Sequence, residues 1–292
     1  MAPLQFGAFR IALGLYLVVY FARLTPYAEE LLSRAGMVPD VTTNIGHVPF
    51  PNLLAWADSP AAVRLFVVVM AVIAACLTLG CARRVAAVAL WYAIACVTQR
   101  NELIADPATP FLGWLLLATT LVPPGEPLTL RNRSRTPRPG WEFPARLVFA
   151  AWIVVGVSYT TSGALKLGSP AWREGWAFGL FLENTLHRDG VGWRLLHALP
   201  SSILAVISWL GLGAELLAGP LALWRRTRPI AWLGLVGMHL VILATMRTTM
   251  LSVGALLPLA FTFDARWLVP RAPAGAARDR AARRRDTARV AV

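Results

Sequence analysis

The sequence predicts an all-α fold: a polytopic integral membrane bundle of about eight helices with both termini in the cytoplasm. Three observations predict it. Of 292 residues, 57% are hydrophobic and 15% charged, and the mean hydropathy of +0.58 exceeds what a soluble domain tolerates. The apolar residues fall in long runs, and the arginines cluster in the gaps between them. Those clusters are also unequal on alternate sides. A net charge of +13 would otherwise suit a nucleic-acid partner. Basic residues spread in this way make no patch on a soluble surface, so the expected partner is the lipid bilayer, with no nucleic acid.

A helix crossing the roughly 30 Å hydrocarbon layer needs about 20 apolar residues, and tilt or thinning permits about 17. Eight segments come close: 4–21, 61–80, 85–97, 110–122, 144–167, 203–224, 229–246 and 248–263. The first contains Arg10 and lacks a small-residue cleavage site after a short apolar core, so it reads as a retained helix. The third, fourth and eighth are short enough to be re-entrant, or to borrow flanking residues such as 105–109. Two outer loops, 24–60 and 168–202, are long. The second carries Trp172, Trp176, Phe178, Phe181 and Trp193, which predict an interfacial helix. Loop 123–143 is rich in proline and arginine without apolar periodicity, and no fold is assigned to it. The chain thus divides into a transmembrane domain, 1–269, and a basic cytoplasmic tail, 270–292, whose composition specifies no fold and whose charge suits anionic lipid.

With the N-terminus inside, the inner segments hold seventeen arginines and the outer ones seven, while nine acidic residues lie outside against five inside. By the positive-inside rule both termini are cytoplasmic, as in a multi-pass protein of the cell membrane.

Ionisable residues inside spans cost about 2.5–3.5 kcal/mol at a helix centre on insertion scales, so each is a functional candidate. Four stand out: Arg10, Lys166, Glu215 and His239. Lys166 is the only lysine; the other 27 basic residues are arginine. Tyr159, Ser162 and Lys166 share one helix face near the outer end of the fifth span, with Gly156 and Gly163 leaving room for a neighbour. One reading is a lysine that snorkels to the outer interface. The other is a partly desolvated amine whose pKa falls until it serves as a base near neutral pH, a role closed to arginine. His239 lies ten residues from the inner start of the seventh span and reads as a bundle hydrogen-bonding residue or as a ligand. Glu215 has Gly211 and Gly219 one turn to either side, and Gly7 and Gly14 flank Arg10 in the same way. Arg10 and Glu215 are expected to pair and to hold the bundle together.

Other chemistry finds little support. Cys76, Cys81 and Cys96 are odd in number and lie in or beside apolar runs, so no disulfide framework follows. No CxxC or HExxH spacing occurs, and no metal is expected. His187 and His197 are ten apart in one outer loop and His47 is in another, and spacing gives no reason for them to meet. No inverted repeat points to a carrier.

Phe9-Arg10-Ile11 with Gly14, the run Tyr159-x-x-x-Gly163-x-x-Lys166-Leu167 followed by Trp172-x-x-Gly175, Glu215 with Pro220, and His239 in a late span resemble the horizontally transferred transmembrane (HTTM) domain. This is the membrane portion of vitamin K-dependent gamma-glutamyl carboxylase. The likeness covers about residues 4–268, and its most specific element is the run around Lys166. It implies that Lys166 is the base that deprotonates a reduced quinone, vitamin K hydroquinone or menaquinol, at the extracytoplasmic side. Oxygen and carbon dioxide would be co-substrates, no metal would take part, and a small or secreted substrate would be modified, as by a carboxylase-like lyase. His239 resembles a family histidine placed near the hydroquinone. Tyr159, Ser162, Trp172, Asn101 and Glu102 would line the quinol and substrate site. Three departures accompany the likeness. One extra residue separates Leu167 from Trp172; Asn101-Glu102 stands where the carboxylase has Asn-His; and the large lumenal β-rich region by which the carboxylase holds its substrate has no counterpart. The alternative from a different class is a non-catalytic membrane partner, or an immunity or maturation protein, for a secreted peptide.

Overall fold

The computed structural model describes residues 1–40, 42 and 50–268. His47 and the arginines of the 270–292 tail lie outside these. Helices are the regular elements of the described residues, which include no strand. Eight helices of 13 residues or more follow the eight apolar segments: α1 Pro3–Leu24, α2 Pro60–Leu79, α3 Arg83–Arg100, α4 Thr109–Leu121, α5 Ala145–Lys166, α6 Ser201–Leu223, α7 Arg228–Thr245 and α8 Thr249–Thr262.

Their ends are written in the chain. Proline stands in the first two positions of α1, α2, α4 and α7, where its missing N–H costs nothing. Ser59 caps α2 through the Ala62 amide at 3.3 Å. Gly80 ends that helix in the left-handed region at φ +71°, a geometry that a side chain would strain.

Five helical runs are long and apolar enough to cross a bilayer: α1 with its extension to Leu32, α2, α5, α6 and α7. The chain is therefore a membrane protein. Helices α4 and α8, at 13 and 14 residues, are shorter, and α3 carries Arg83, Arg84 and Arg100 at its ends. Apolar side chains such as Leu65, Val157, Leu210, Leu217 and Leu233 face outward, as lipid-facing residues do.

One core joins α1, α2, α3, α4 and α8, around Phe6, Leu13, Leu17, Leu90, Leu115 and Phe261. A second, around Tyr159, Ala218, Leu235 and Leu259, joins α5, α6 and α7 to α8 and to Phe111 of α4. Helix α8 belongs to both. The glycines flanking Arg10 allow close contact: a Cβ on Gly14 would stand 2.3 Å from Thr78 of α2, and one on Gly7 would stand 2.9 Å from the Pro127 carbonyl.

Arg10 does not pair with Glu215. Its guanidinium, fully buried, donates to the carbonyls of Leu77 at 2.7 Å, Thr78, and Leu128 at 2.6 Å, and lies 3.8 Å from the Glu126 carboxylate. Arg83 donates to Glu126 at 2.8 Å and to the carbonyls of Thr119, Val122 and Pro123. Leu77, Thr78 and Thr119 stand in the last turns of α2 and α4, and Val122, Pro123 and Leu128 follow in the chain beyond α4, so the two guanidiniums hold both helix ends and the loop while sharing one carboxylate. The reason for the different pairing is adjacency, since α1 packs on α2 whereas α6 packs on α5 and α7. Loop 123–143 supplies Glu126 and is built without helix: the Trp141 indole donates to the Pro123 carbonyl at 2.9 Å, and Trp141 and Phe143 pack on Phe6.

Candidate functional site

The site grows from the contact between α5 and α6. A Cβ on Gly156 would meet the Gly219 Cα at 3.0 Å, and one on Gly163 would meet the Leu216 amide nitrogen at 2.8 Å, so both glycines are there to let the helices touch. Gly211 has no such neighbour; a Cβ there would meet only Trp172, at 4.0 Å. Pro220 interrupts α6, and its missing N–H leaves the carbonyl one turn back, at Leu216, without its helical donor. Thr160 of α5 repairs the break: its hydroxyl accepts from the Gly219 amide at 2.9 Å and approaches the Leu216 carbonyl at 3.3 Å.

This contact fixes the register. Gly163 is level with Glu215, which lies fourteen residues past Ser201, the first residue of α6. At 1.5 Å per residue that depth is about 21 Å. Lys166 ends α5, yet it ends well below the top of α6. The chain beyond it climbs the remaining part of α6 in short pieces, Pro170–Arg173 and Ala177–Leu182. Gly175, at φ +86°, turns between them against Ala205 and Trp209, the Phe178 amide donates to Ser208 at 2.9 Å, and the Trp209 indole donates to the Arg173 carbonyl. The aromatic segment 168–202 is thus three short helices, with Val191–His197 the third, rather than the one interfacial helix expected. Gly175 and the turn at 183–189 break it.

At this level the Lys166 amine donates to Glu215 Oε1 at 2.5 Å, and the Ser162 hydroxyl donates to Oε2 at 3.1 Å. The Glu215 side chain is 5% exposed and that of Lys166 28%. The ammonium lies 4.6 Å from the centroid of the Trp172 ring, a cation–π contact that covers it from the side of the climbing segment. Ser158, Thr161, Ser162, Leu165, Lys166, Ser169 and Trp172 line an open recess of about 540 Å³. Four hydroxyls and one amine therefore face a single hollow. Ser158, Thr161 and Ser169 were not evident as site residues; the first two are hydroxyls three apart in the apolar helix that carries Lys166, and the third stands just past its end, which is the signal that marks them.

A second pair lies beside the first. Tyr159 Oη and His239 Nε2 are 2.6 Å apart, both residues are buried, and Phe111 stacks on the tyrosine ring. Glu215 is within electrostatic reach of Tyr159, and Lys166 of His239. Whichever group donates, His239 Nδ1 is left buried with no protein partner. The structure thus joins Lys166, Ser162, Trp172, Tyr159 and His239 with Glu215.

Asn101 and Glu102 are elsewhere. The Asn101 amide donates to the Leu31 carbonyl at 3.0 Å and its oxygen caps Leu103, tying α3 to the end of the first helical run. Glu102 opens the short turn Glu102–Ile104 and does not line the recess. His187 and His197 do meet, through Trp193, whose ring centroid lies 4.8 Å from the first and 4.6 Å from the second. Among the described residues no group of three or more His, Cys, Asp or Glu side chains is placed to hold a metal ion, and the three cysteines are free.

Comparison with family models, with curated proteins and with solved structures finds no match. The fold and site define an all-helical membrane protein with an intramembrane Lys–Glu pair at an open, hydroxyl-lined recess.

Proposed function

We propose that the chain is a membrane-embedded enzyme that takes a proton from a reduced isoprenoid quinone at the Lys166–Glu215 pair and modifies a small or secreted substrate, as the resemblance to the HTTM domain implies. The observation that carries the reading is the register: Lys166, three residues beyond Gly163, ends α5 about 16 Å short of the Ser201 end of α6, at 1.5 Å per residue, and its amine turns to the buried Glu215. A lysine serving only to anchor a helix end would snorkel instead. We further infer that all eight helices cross the cell membrane with both termini cytoplasmic, so that the recess opens to the extracytoplasmic side.

The residues present fit such a group. The recess offers an amine and four hydroxyls to a phenolic oxygen, an indole face to a flat ring, and an apolar surround to an isoprenoid tail. A bound reduced quinone would supply acidic hydroxyls and, with oxygen, the strong base that carboxylase-like chemistry draws on. The Lys166–Glu215 pair carries no net charge and accepts one proton in all. Having done so it is a cation, and Lys166 remains beside the oxygen that lost the proton. Ser162 holds the second Glu215 oxygen and so fixes the direction of the first. Tyr159 and His239 lie behind the recess as a buried hydrogen-bonded pair, within electrostatic reach of Glu215 and Lys166, with Nδ1 of the histidine unpartnered.

The test is oxygen-dependent consumption of vitamin K hydroquinone, or of menaquinol, by the purified chain in lipid. Wild type is expected to turn over and Lys166→Ala to lose about 10²-fold or more, the low end of general-base contributions. Failure of wild type with every quinol would move the assignment to the second reading, a non-catalytic partner of a secreted peptide. That reading is favoured by one fact: Lys166 already has a carboxylate and an aromatic face, and so is complete without a substrate.

A further inference from the structure

The same register that recesses Lys166 at one end of α5 leaves the other end overhanging. Gly156 is level with Gly219, so eleven residues of α5 (145–155) lie inward of that level, against four of α6 (220–223). Beside the overhang runs a groove of about 440 Å³, lined by Phe149, Trp152, Ile153, Val157, Pro220 and Leu223 among others, with Arg228 at its end. Its walls are apolar and outward-facing: Phe149, Ile153, Val157 and Leu223 are all exposed. In a bilayer this is an acyl-chain-sized channel open to lipid.

Its mouth has a different chemistry. The Arg228 Nε–H donates to the Ala222 carbonyl at 2.9 Å, a free C-terminal carbonyl of α6, and the guanidinium lies 5.6 Å from the centroid of the Trp152 ring. The side chain is thereby held at the groove mouth with its terminal nitrogens to spare. Arg225 is within electrostatic reach, and Arg226 adjoins it in the same turn. Among the described residues no carboxylate pairs with Arg225, Arg226 or Arg228. Three uncompensated arginines at the end of an apolar channel fit an amphiphile with an anionic head.

We propose that this groove is a binding site for one anionic phospholipid, its phosphate on Arg228 and one acyl chain between α5 and α6. The site is separate from the recess at Lys166 and does not rest on the quinol reading. Charge complementarity selects the anionic head, and the apolar length of the groove selects a chain-bearing ligand over free phosphate. The chain's own basic tail, repelled by the same arginines, is the wrong sign to fill it.

The test is native mass spectrometry of the full chain in detergent with equal amounts of phosphatidylglycerol and phosphatidylcholine of the same acyl chains. Phosphatidylglycerol is expected to be retained about tenfold better, as one charge-assisted contact of about 1.4 kcal/mol gives. Arg228→Ala should abolish the preference. Ile153→Trp, at a lipid-facing position, should fill the groove and lower retention with Arg228 intact; it keeps the test decisive if the arginine variant fails to fold. Equal retention of the two lipids, an undiminished preference in either folded variant, displacement by glycerol phosphate, or stronger retention of a neutral isoprenoid quinone would each overturn the assignment.

Discussion

At the scale of single residues, Lys166 and Glu215 are unequal partners. Lysine is partly exposed and its long stem can carry the charge to another position, whereas the carboxylate is enclosed by Ser162, Gly163 and Lys166. Removing the lysine therefore strands a buried charge. Lys166→Met is expected to lower stability by about 3 kcal/mol, the low end for breaking a buried pair, and Glu215→Gln by about 1 kcal/mol, as for a pair whose survivor reaches water. The double variant should recover part of the loss. Unfolding in detergent at graded denaturant measures all three; equal costs for the two single changes would refute the asymmetry. A second residue-scale expectation concerns the outer loop. The hydrogen bond from His187, then the His187 and Arg247 charges, hold the Asp189 carboxyl below its usual range. Its native pKa is thus below the unfolded value, so its contribution is complete above the usual aspartate range and is lost as pH falls through the depressed value. Protection of the Arg188 and Arg247 amides, which donate to the Thr245 and Leu186 carbonyls, should fall relative to the intrinsic exchange rate on acidification below pH ~4, where an ordinary aspartate protonates, and in Asp189→Asn should show no such step.

At the scale of elements, Thr160 and Pro220 form a compensating pair. Thr160→Val keeps the shape but leaves the Gly219 amide and the Leu216 carbonyl unpartnered, at about 1–3 kcal/mol for a buried polar group. Pro220→Ala returns an N–H to the Leu216 carbonyl. The cost of Thr160→Val is therefore expected to shrink in the Pro220→Ala background, and a double-mutant cycle on unfolding free energies measures the coupling; additive effects would show that Thr160 does not mend the helix. The apolar runs foretell all eight long helices to within a few residues at most ends, because prolines and the Gly80 turn mark several of the boundaries. The exceptions have physical causes. Residues 168–197 break into short helices because their aromatic content reports the medium and not the backbone path, and Gly175 is the turn that content conceals. The Arg10 partner was mistaken because charge and small-residue spacing reveal that a buried ion needs a counterion without revealing which helix is the neighbour.

For the whole molecule, the site was half legible. Tyr159, Ser162 and Lys166 share a face by helical arithmetic, and the lone lysine drew attention to it. Glu215 stood out as intramembrane, but its union with Lys166 depends on the register between α5 and α6, which only the packing of Gly156 on Gly219 and Gly163 on Leu216 determines. Asn101 and Glu102 belong to a different part of the bundle for the same reason. The proposed orientation has a direct check. In a background without Cys76, Cys81 and Cys96, a cysteine at Asn184 should react with a membrane-impermeant maleimide in intact cells, and one at Arg133 only after permeabilisation; the reverse would invert the topology. The Arg10–Arg83–Glu126 cluster should dominate global stability. Glu126→Gln leaves two buried guanidiniums without a counter-charge and is expected to cost about 3–5 kcal/mol, more than either change at the Lys166–Glu215 pair, as read from the same unfolding series.

That cluster also has a history in time. The acceptors of Arg10 lie 67, 68 and 118 residues further along the chain, and Glu126 is made shortly before the last of them. At about 5–20 residues per second of synthesis, α1 waits on the order of ten seconds in the bilayer with a cation that nothing yet neutralises. Only when the 123–143 loop has been translated can the arginine be drawn inward and α1 settle against α2. The nascent chain thus holds every member of this cluster before α8, the last wall of the same core, has been made.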